Sequence, residues 1–218
     1  LRTPLTLITA PVEQLAADDT LTDGQRSLLG VVKRNTDILL RLVNEILDFR
    51  KVQNGKMTVH LAHFDLSPAL RQWTAMFEPA MKKKSLTLHI EVPDHLFVLS
   101  DGYKLERICY NLLSNSVKYT PEGGEIWIRA TQSGDRFAIV VEDTGIGIPE
   151  DKLKRIFERF FQVETPYTNG TGVGLALVKA FTEMLHGTVT AANRQPQGVR
   201  FTIEIPVSQP NSDASQTA

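Results

Sequence analysis

The most restrictive feature of this sequence is a long series of residues spaced alternately by four and three positions. The series lies between Thr22 and Gln53 and contains six apolar residues and one polar residue: Leu28, Val32, Asn35, Leu39, Leu42, Ile46 and Phe49. Such a heptad pattern predicts one continuous helix, about 48 Å long at 1.5 Å per residue. Thr22 and Asp23 supply N-cap chemistry, and Asn54-Gly55 predicts the end of the helix.

A shorter helix is predicted before this one, because apolar residues recur at helical spacing at Leu5, Ile8, Val12 and Leu15. Two helices alone cannot bury the long apolar seam. Two copies of the hairpin can bury it in a four-helix bundle, so we expect a homodimer through residues 1–56. The alternative is that the seam packs against the rest of its own chain.

The hydrophobic period changes at Met57, which predicts a second domain over residues 57–207. Alternating segments predict strands near 58–64, 86–92, 96–99, 125–132, 136–142, 187–193 and 199–206, and helical segments cover 65–83, 101–119 and 174–186. Paired strands with intervening helices predict an α+β fold, a sandwich of a mixed sheet with helices on one face. The small polar residues 208–218 predict a disordered tail or linker.

Composition and charge exclude several classes of protein. Hydrophobic residues make up 42% and charged residues 22%, which is ordinary globular usage. This composition excludes disordered, collagen-like and low-complexity chains. The formal net charge of -1 argues against nucleic-acid binding by this region. Apolar runs are shorter than the ~18 residues that cross a bilayer. A single cysteine, Cys109, fits a reducing compartment such as the cytoplasm. The chain begins at Leu1 rather than Met and is expected to be part of a longer protein.

The helix at 101–119 carries a polar line of four residues. Asn111 and Asn115 are four apart, and Lys118 and Tyr119 lie three and four residues further on, which places all four on one side of the helix. An Asn carbonyl is a hard oxygen ligand for Mg²⁺, and a Lys supplies charge to a phosphate. The line therefore suits a phosphorylated ligand with a metal. The alternative is a solvated polar face.

Two glycine-containing segments follow. In the first, Asp143-Thr144-Gly145-Ile146-Gly147-Ile148, a carboxylate stands at a predicted strand end, where it could accept a hydrogen bond from the amino group of adenine. The second, Asn169 to Leu177, places Gly170, Gly172 and Gly174 at the start of a helix, whose free N–H groups can hold phosphate. Each segment alone could also be a turn or a cap. About twenty irregular residues between them predict a lid or a disordered loop, in which the phenylalanines Phe157, Phe160 and Phe161 could form a small tethering cluster.

Together, the order and context of these segments resemble the ATP-binding domain shared by sensor histidine kinases, heat-shock-90 chaperones, type II topoisomerases and mismatch-repair ATPases. Residues 111–120, 143–148, 157–161 and 170–175 look like its N, G1, F and G2 boxes. The F box and the Gly-x-Gly-x-Gly-Leu form point to histidine kinases. Leu1-Arg2-Thr3-Pro4-Leu5-Thr6 also resembles the family's H box after its first two residues, His and Glu.

The resemblance implies roles for individual residues. Asn115 would bind Mg²⁺, with Asn111 beside it, and Asp143 would bind the adenine amino group. Lys118 and Arg159 would face phosphates, and Tyr119 would flank the nucleotide. The remaining ATP-binding residues would be Gly145, Gly147, Ile148, Phe160, Gly170, Thr171, Gly172, Val173, Gly174 and Leu175. Thr3 matches the position that the family uses to dephosphorylate a response regulator.

Two departures from the family pattern stand out. The phosphoacceptor His and its Glu neighbour would precede Leu1, and Val199 follows Gly198 where the family usually has a hydroxyl residue. The resemblance implies the cytoplasmic kinase core of a sensor, membrane-bound or hybrid, with Mg²⁺ and ATP as ligands. Its partners would be an upstream sensor domain and a response-regulator receiver domain, fused or separate. The alternatives are a nucleotide-binding dimerisation module without kinase activity and an ATPase of the chaperone or topoisomerase branch.

Overall fold

The computed structural model of this protein describes residues 2–16, 18, 20–163 and 172–207. The chain forms two compact units, Leu1–Met57 and Thr58–Ala218. The tail predicted at 208–218 lies outside the described residues. In the described part of the chain, none of the helices combines the length and the apolar character that a bilayer crossing requires.

The first unit is a helical hairpin of α1 (Arg2–Ala16) and α2 (Asp23–Gln53), which pack against each other. A capping box begins α2, as Thr22 suggested. The Gln25 N–H donates to Thr22 Oγ1 at 3.3 Å, and the Thr22 N–H donates to Gln25 Oε1 at 2.9 Å. Phe49 of the heptad seam is buried. Four other apolar members are exposed by 43–68%: Leu28, Val32, Leu39 and Ile46.

The second unit contains four helices and seven strands within the described residues. The helices are α3 (Leu66–Ala75), α4 (Glu78–Lys83), α5 (Gly102–Tyr119) and α6 (Gly174–Met184). The strands are β1 (Ala62–Asp65), β2 (Thr87–Glu91), β3 (Phe97–Ser100), β4 (Glu125–Ser133), β5 (Arg136–Asp143), β6 (Thr188–Asn193) and β7 (Val199–Pro206).

Five of these strands form a mixed sheet in the order β2-β4-β5-β7-β6, in which only the β2–β4 pair is parallel. Strands β1 and β3 form a separate antiparallel pair. The predicted α+β fold with a mixed sheet is confirmed. The separate small sheet was not predicted, because alternation marks a strand without showing which strand lies beside it.

The core of this unit lies between one face of the five-stranded sheet and helices α5 and α6, and α3 packs against α5 and β3. Every second residue of the central strands is buried, as the period of two requires: Ile126, Ile128, Phe137, Ile139, Val141, Phe201, Ile203 and Ile205. Helix α5 contributes Leu105, Ile108 and Leu112 from its apolar side. Burial of each such side chain contributes roughly 1.5–3 kcal/mol relative to exposure, so this layer fixes the position of α5.

Two predicted elements differ from the structure, each for a local reason. The helix predicted at 65–83 is divided into α3 and α4, because Pro79 has no N–H to donate to the Ala75 carbonyl and its ring would clash with that carbonyl in a continuous helix, whereas proline is tolerated in the first turn of α4. The strand predicted at 58–64 begins only at Ala62. Before that point the backbone binds side chains instead: the His60 N–H donates to the Asp101 carboxylate at 2.8 Å, and the Thr58 carbonyl accepts from Lys104 Nζ at 2.6 Å.

The other face of the sheet carries a polar cluster around Glu142. Guanidinium groups of Arg129, Arg194 and Arg200 donate to its carboxylate at 2.8, 2.5 and 2.9 Å, and the Glu142 side chain is only 4% exposed. Burial would raise the pKa of Glu142, but the hydrogen bonds from Arg200 and Arg194 outweigh it and lower that pKa. The cluster joins β4, β5 and β7 on the side away from the helices.

Candidate nucleotide-binding site

The structure brings residues from three of the predicted segments to one end of the central sheet. Asn111, Asn115, Lys118 and Tyr119 lie on α5, and Asp143 is the last residue of β5. Gly145, Gly147 and Ile148 lie in the loop after β5, which we call the G1 loop (residues 144–149). Val173 precedes α6, which begins with Gly174 and Leu175. Gly170 and Thr171 lie outside the described residues, as does the side chain of Thr3.

Asp143 is at the centre of this arrangement and is only 4% exposed. Its Oδ2 accepts from Ser116 Oγ at 2.8 Å, its Oδ1 accepts from the Gly145 N–H at 2.9 Å, and the Val199 N–H also donates to the carboxyl. Burial raises the pKa of Asp143, and these hydrogen bonds offset the rise only in part. A buried carboxyl group with a raised pKa is typical of functional sites.

Side chains satisfy backbone groups at both ends of α5, the helix that carries the polar line. Its N-cap is Asp101, which accepts from the Lys104 N–H at 3.1 Å and from Lys104 Nζ at 2.7 Å. At its C-terminal end, Lys84 Nζ donates to the carbonyls of Val117, Lys118 and Thr120 at 2.7, 3.2 and 2.7 Å. These carbonyls have lost helical partners, so the ammonium group satisfies them directly.

The start of α6 approaches α5 at Asn111. The Asn111 Nδ2 donates to the Arg107 carbonyl at 2.8 Å, and a Cβ at Gly174 would lie 2.7 Å from Asn111 Oδ1. A larger residue at this position would require the Asn111 side chain to shift. The amide oxygen of Asn111 therefore lies beside the N-terminus of α6, whose free N–H groups favour an anion.

The G1 loop is attached to α5 as well. The Ile146 N–H donates to the Tyr119 carbonyl at 3.3 Å, and the Lys118 ammonium lies 4.7 Å from the centre of the Tyr119 ring. The predicted helical line and the predicted loop are thus neighbours in space, although 25 or more residues separate them in sequence.

The segment resembling an F box is only partly packed. The Phe157 ring meets that of Phe201 edge to face at 6.4 Å, so this phenylalanine does tether the segment. Phe160 is 68% exposed, but its N–H donates to the Gly172 carbonyl at 3.0 Å and so joins the segment to the start of α6. Arg159 is also exposed.

Sequence reasoning missed three residues that shape the site. Ser116 binds Asp143, Asn193 binds the G1 loop, and Gly198 passes so close to β5 that a Cβ there would lie 1.8 Å from the Asp143 carbonyl oxygen. Gly198 also has a φ of +118°, which only glycine adopts readily. The Gly198-Val199 pair is a signal in the sequence that could have marked Gly198 as a site residue. The roles of Ser116 and Asn193 depend on contacts between residues that are distant in sequence. Val199 contributes through its backbone N–H, and its side chain is buried.

An open groove of about 550 Å³ lies at the other end of β4, between residues 91–96 and 130–132. Two of its polar side chains already have partners, since Glu91 binds Arg129 at 2.7 Å and His95 binds Asp65 at 2.6 Å. The convergent polar groups around Asp143 make the better candidate site.

Comparison with family models gives two matches, one in each of the two units. A model described as histidine kinase-, DNA gyrase B-, and HSP90-like ATPase matches residues 100–209. A model described as the His Kinase A (phospho-acceptor) domain matches residues 1–55.

Individual relatives agree with these models. The chain is 39% identical to sensor histidine kinase TmoS from Ectopseudomonas mendocina, over 96% of this chain and 22% of TmoS. It is 37% identical to hybrid signal transduction histidine kinase D from Dictyostelium discoideum, over 98% of this chain and 14% of that protein. The crystal structure of full-length ShkA in complex with AMPPNP matches with a TM-score of 0.77 and 32% identity, over 97% of this chain and 44% of ShkA. The chain thus spans less than a quarter of the two curated relatives.

Proposed function

This chain belongs to the histidine kinase family, and from that premise we propose that it is the kinase core of a two-component sensor. It binds Mg-ATP and transfers the γ-phosphoryl group to a histidine, and the phosphoryl group then passes to an aspartate of a receiver domain. The observation that carries the proposal is the buried Asp143 carboxyl, held by Ser116 and Gly145 beside the polar side of α5.

Asp143 recognises the adenine base. An ionised carboxylate accepts hydrogen bonds and cannot donate them, so it binds the amino group of adenine and repels the carbonyl oxygen that guanine carries at the same place. The hydrogen bonds from Ser116, Gly145 and Val199 hold the carboxyl group in one orientation before the nucleotide arrives. Such preorganisation reduces the entropy that binding loses.

The phosphates are bound between α5 and the start of α6. Lys118 and Arg159 supply positive charge, and the N-terminus of α6 supplies N–H groups near Gly174. Mg²⁺, when bound, neutralises phosphate oxygens, and Asn115 with Asn111 beside it would hold the ion. The donor set fits, because amide oxygens are hard ligands and the Asn111 amide is turned with its Nδ2 toward Arg107 and its Oδ1 toward α6.

The chemical step depends mainly on positioning and charge neutralisation. A histidine nitrogen forms a bond to the γ-phosphorus as the bond from phosphorus to the bridging oxygen breaks, and ADP leaves. We place this histidine before Leu1, followed by a Glu that exchanges its proton, and we assign Thr3 to dephosphorylation of the receiver. Because the reaction needs ATP, this part of the protein would lie in the cytoplasm, downstream of a sensor domain.

One pair of measurements tests the proposal. Calorimetric titration of the chain with Mg-ADP and Mg-ATP should detect binding of both. A chain with His-Glu placed before Leu1 should incorporate acid-labile label from γ-labelled ATP, whereas a matched chain with Ala-Glu should not. A folded chain that binds neither nucleotide would refute the proposal. Binding without acid-labile label would leave a nucleotide-binding dimerisation module.

A further inference from the structure

The end of the G1 loop at Ile148 is held by one side chain from a strand distant in sequence. Asn193 is the last residue of β6, and its carboxamide contacts both backbone polar groups of Ile148. The Ile148 N–H donates to Asn193 Oδ1 at 2.9 Å, and Asn193 Nδ2 donates to the Ile148 carbonyl at 2.6 Å. A third, longer hydrogen bond runs from Asn193 Nδ2 to Glu150 Oε1 at 3.2 Å.

The chemistry of this contact requires a primary amide. A carboxamide carries an acceptor and two donors on one planar group, so it can satisfy an N–H and a C=O of the same residue as a neighbouring strand would. An aspartate at this position would keep the acceptor but would place a second oxygen against the Ile148 carbonyl and the Glu150 carboxylate.

The backbone around Asn193 is fixed by the β6–β7 pairing and by the turn that follows it. Asn193 pairs with Val199 across the β6–β7 ladder, and the Arg194 N–H donates to the Gly198 carbonyl at 2.9 Å in the turn that follows. The Arg194 side chain donates to Glu142, the residue before Asp143. The turn that carries Asn193 is therefore tied to the same strand end that carries the candidate adenine ligand.

The G1 loop has a second attachment at its other end. There the Gly145 N–H donates to Asp143, and the Ile146 N–H donates to the Tyr119 carbonyl at 3.3 Å. Between the two attachments lies Gly147, which has a φ of +76°. Without Asn193, Ile148 would lose both of these hydrogen bonds, and the remaining attachments at Thr144, Gly145 and Ile146 all lie in the first half of the loop.

We propose that Asn193 is a positioning residue for adenine-nucleotide binding. It fixes Ile148, and through Ile148 the distance between the G1 loop and the Asp143 carboxyl. The inference rests on the proposed function, since it takes the nucleotide to bind at Asp143, and it adds a residue that the sequence pattern did not mark.

The test compares Asn193→Asp and Asn193→Ala with Gln197→Glu, which makes the same amide-to-carboxylate change at an exposed position of the same turn. Calorimetric titration should show that both Asn193 variants bind Mg-ADP and Mg-ATP about tenfold more weakly, by the same factor for each nucleotide. Asn193→Ala loses both hydrogen bonds to Ile148, whereas Asn193→Asp loses the donor and places an oxygen against the Ile148 carbonyl. Gln197→Glu should bind as the parent does.

Amide hydrogen exchange of the nucleotide-free proteins separates positioning from general destabilisation. In Asn193→Ala, exchange should accelerate at residues 146–148 and stay unchanged at the core strand residues Ile139 and Val141. If the parent binds nucleotide and both Asn193 variants bind equally well, the inference is wrong and the proposed function stands. Accelerated exchange throughout the unit would also overturn it. A parent that binds neither nucleotide would overturn both.

Discussion

Burial raises the pKa of the Asp143 carboxyl, and the hydrogen bonds from Ser116, Gly145 and Val199 lower it only in part. A pKa that is higher in the folded than in the unfolded state means that the folded protein binds this proton more tightly. The resulting stabilisation is fully present below the ordinary Asp pKa of about 3.9 and is lost as the pH rises through the raised pKa. The ionised Asp143 carboxylate therefore lowers the free energy of unfolding at neutral pH, a cost that is common at binding sites.

Replacement of this carboxyl by an amide should separate binding from stability. We expect Asp143→Asn to bind Mg-ADP at least tenfold more weakly, because the proposed charged acceptor for the adenine amino group is lost. The free energy of unfolding should stay equal or rise relative to the parent, and the gain should be smaller at pH 4, near the ordinary Asp pKa, than at pH 7. Urea unfolding at both pH values, with calorimetric titration, measures these effects.

Asp135→Asn is the matched control, since Asp135 is an exposed residue in the β4–β5 turn. This variant should leave both quantities unchanged. A loss of stability in Asp143→Asn as large as its loss of affinity would mean that the Asp143 carboxyl is mainly structural.

Individual site residues differed in how far they could be predicted from sequence. Asp143 and Asn111 lie in short segments whose residue order carries the information. Ser116 and Asn193 act through partners 27 and 45 residues away in the chain. Such pairings depend on how β5 lies against α5 and β6 lies near the G1 loop, and no local pattern encodes that arrangement.

At the scale of single elements, the end of α5 depends on a lysine at the C-terminal cap of another helix. Lys84 follows α4 and donates to three carbonyls at the C-terminus of α5. We expect Lys84→Met to lower the free energy of unfolding by about 2 kcal/mol, since hydrogen bonds from a charged donor are lost and partly buried carbonyls remain. Affinity for Mg-ADP should fall as well, because Lys118 and Tyr119 lie in that last turn.

Lys83→Met provides the control for this prediction, because Lys83 is the exposed neighbour in α4. Its effect on the free energy of unfolding should stay within about 0.5 kcal/mol. Equal effects of the two substitutions in chemical denaturation would show that the Lys84 contacts contribute nothing specific.

The Glu142 cluster should stabilise the sheet in a pH-dependent way. Hydrogen bonds from Arg200 and Arg194 outweigh the effect of burial, so the pKa of Glu142 is lowered in the folded state. Its contribution is present above the ordinary Glu pKa of about 4.3 and is lost as the pH falls through the lowered value. We expect Glu142→Gln to lower the free energy of unfolding by about 2 kcal/mol at pH 7 and by less near pH 4. The value at pH 7 allows for the screening of the partly exposed arginines by water.

Glu204→Gln is the comparison for Glu142→Gln, because Glu204 is an exposed residue of β7 on the same face of the sheet. Urea unfolding between pH 4 and pH 7 should show little effect of that change. If the loss of unfolding free energy in Glu142→Gln does not become smaller as the pH falls, the predicted coupling between stability and the protonation of Glu142 is wrong.

Element types were predicted well, because the periods of two and 3.6 are strong along this chain. The long helix and the β4–β5 hairpin match their predicted ranges within two residues. Errors arose where a non-local contact replaced the local pattern, as at residues 58–61, whose backbone binds Asp101 and Lys104 instead of a strand. The division before Pro79 has a local signal in the sequence, because proline lacks the N–H that a continuous helix needs at this position.

At the scale of the whole molecule, the chain combines a complete core in the second unit with an incomplete one in the first. The sheet and its helices bury their own apolar residues. The hairpin leaves much of its heptad seam in water, which is costly for residues such as Leu28 and Leu39. A second copy presents the same seam, and a two-fold axis makes such a surface complementary to itself.

Dimerisation through this seam can be tested by introducing one charged side chain into it. Leu39 is 49% exposed at the middle of the seam, and Leu39→Asp would bury a carboxylate at the interface of the proposed four-helix bundle. Sedimentation velocity should show the parent as a dimer and Leu39→Asp as a monomer at the same concentration. Ser27→Asp, which adds the same group at an exposed position outside the seam, should remain a dimer. A parent that stays monomeric, or a Leu39→Asp variant that sediments as the parent does, would refute the interface.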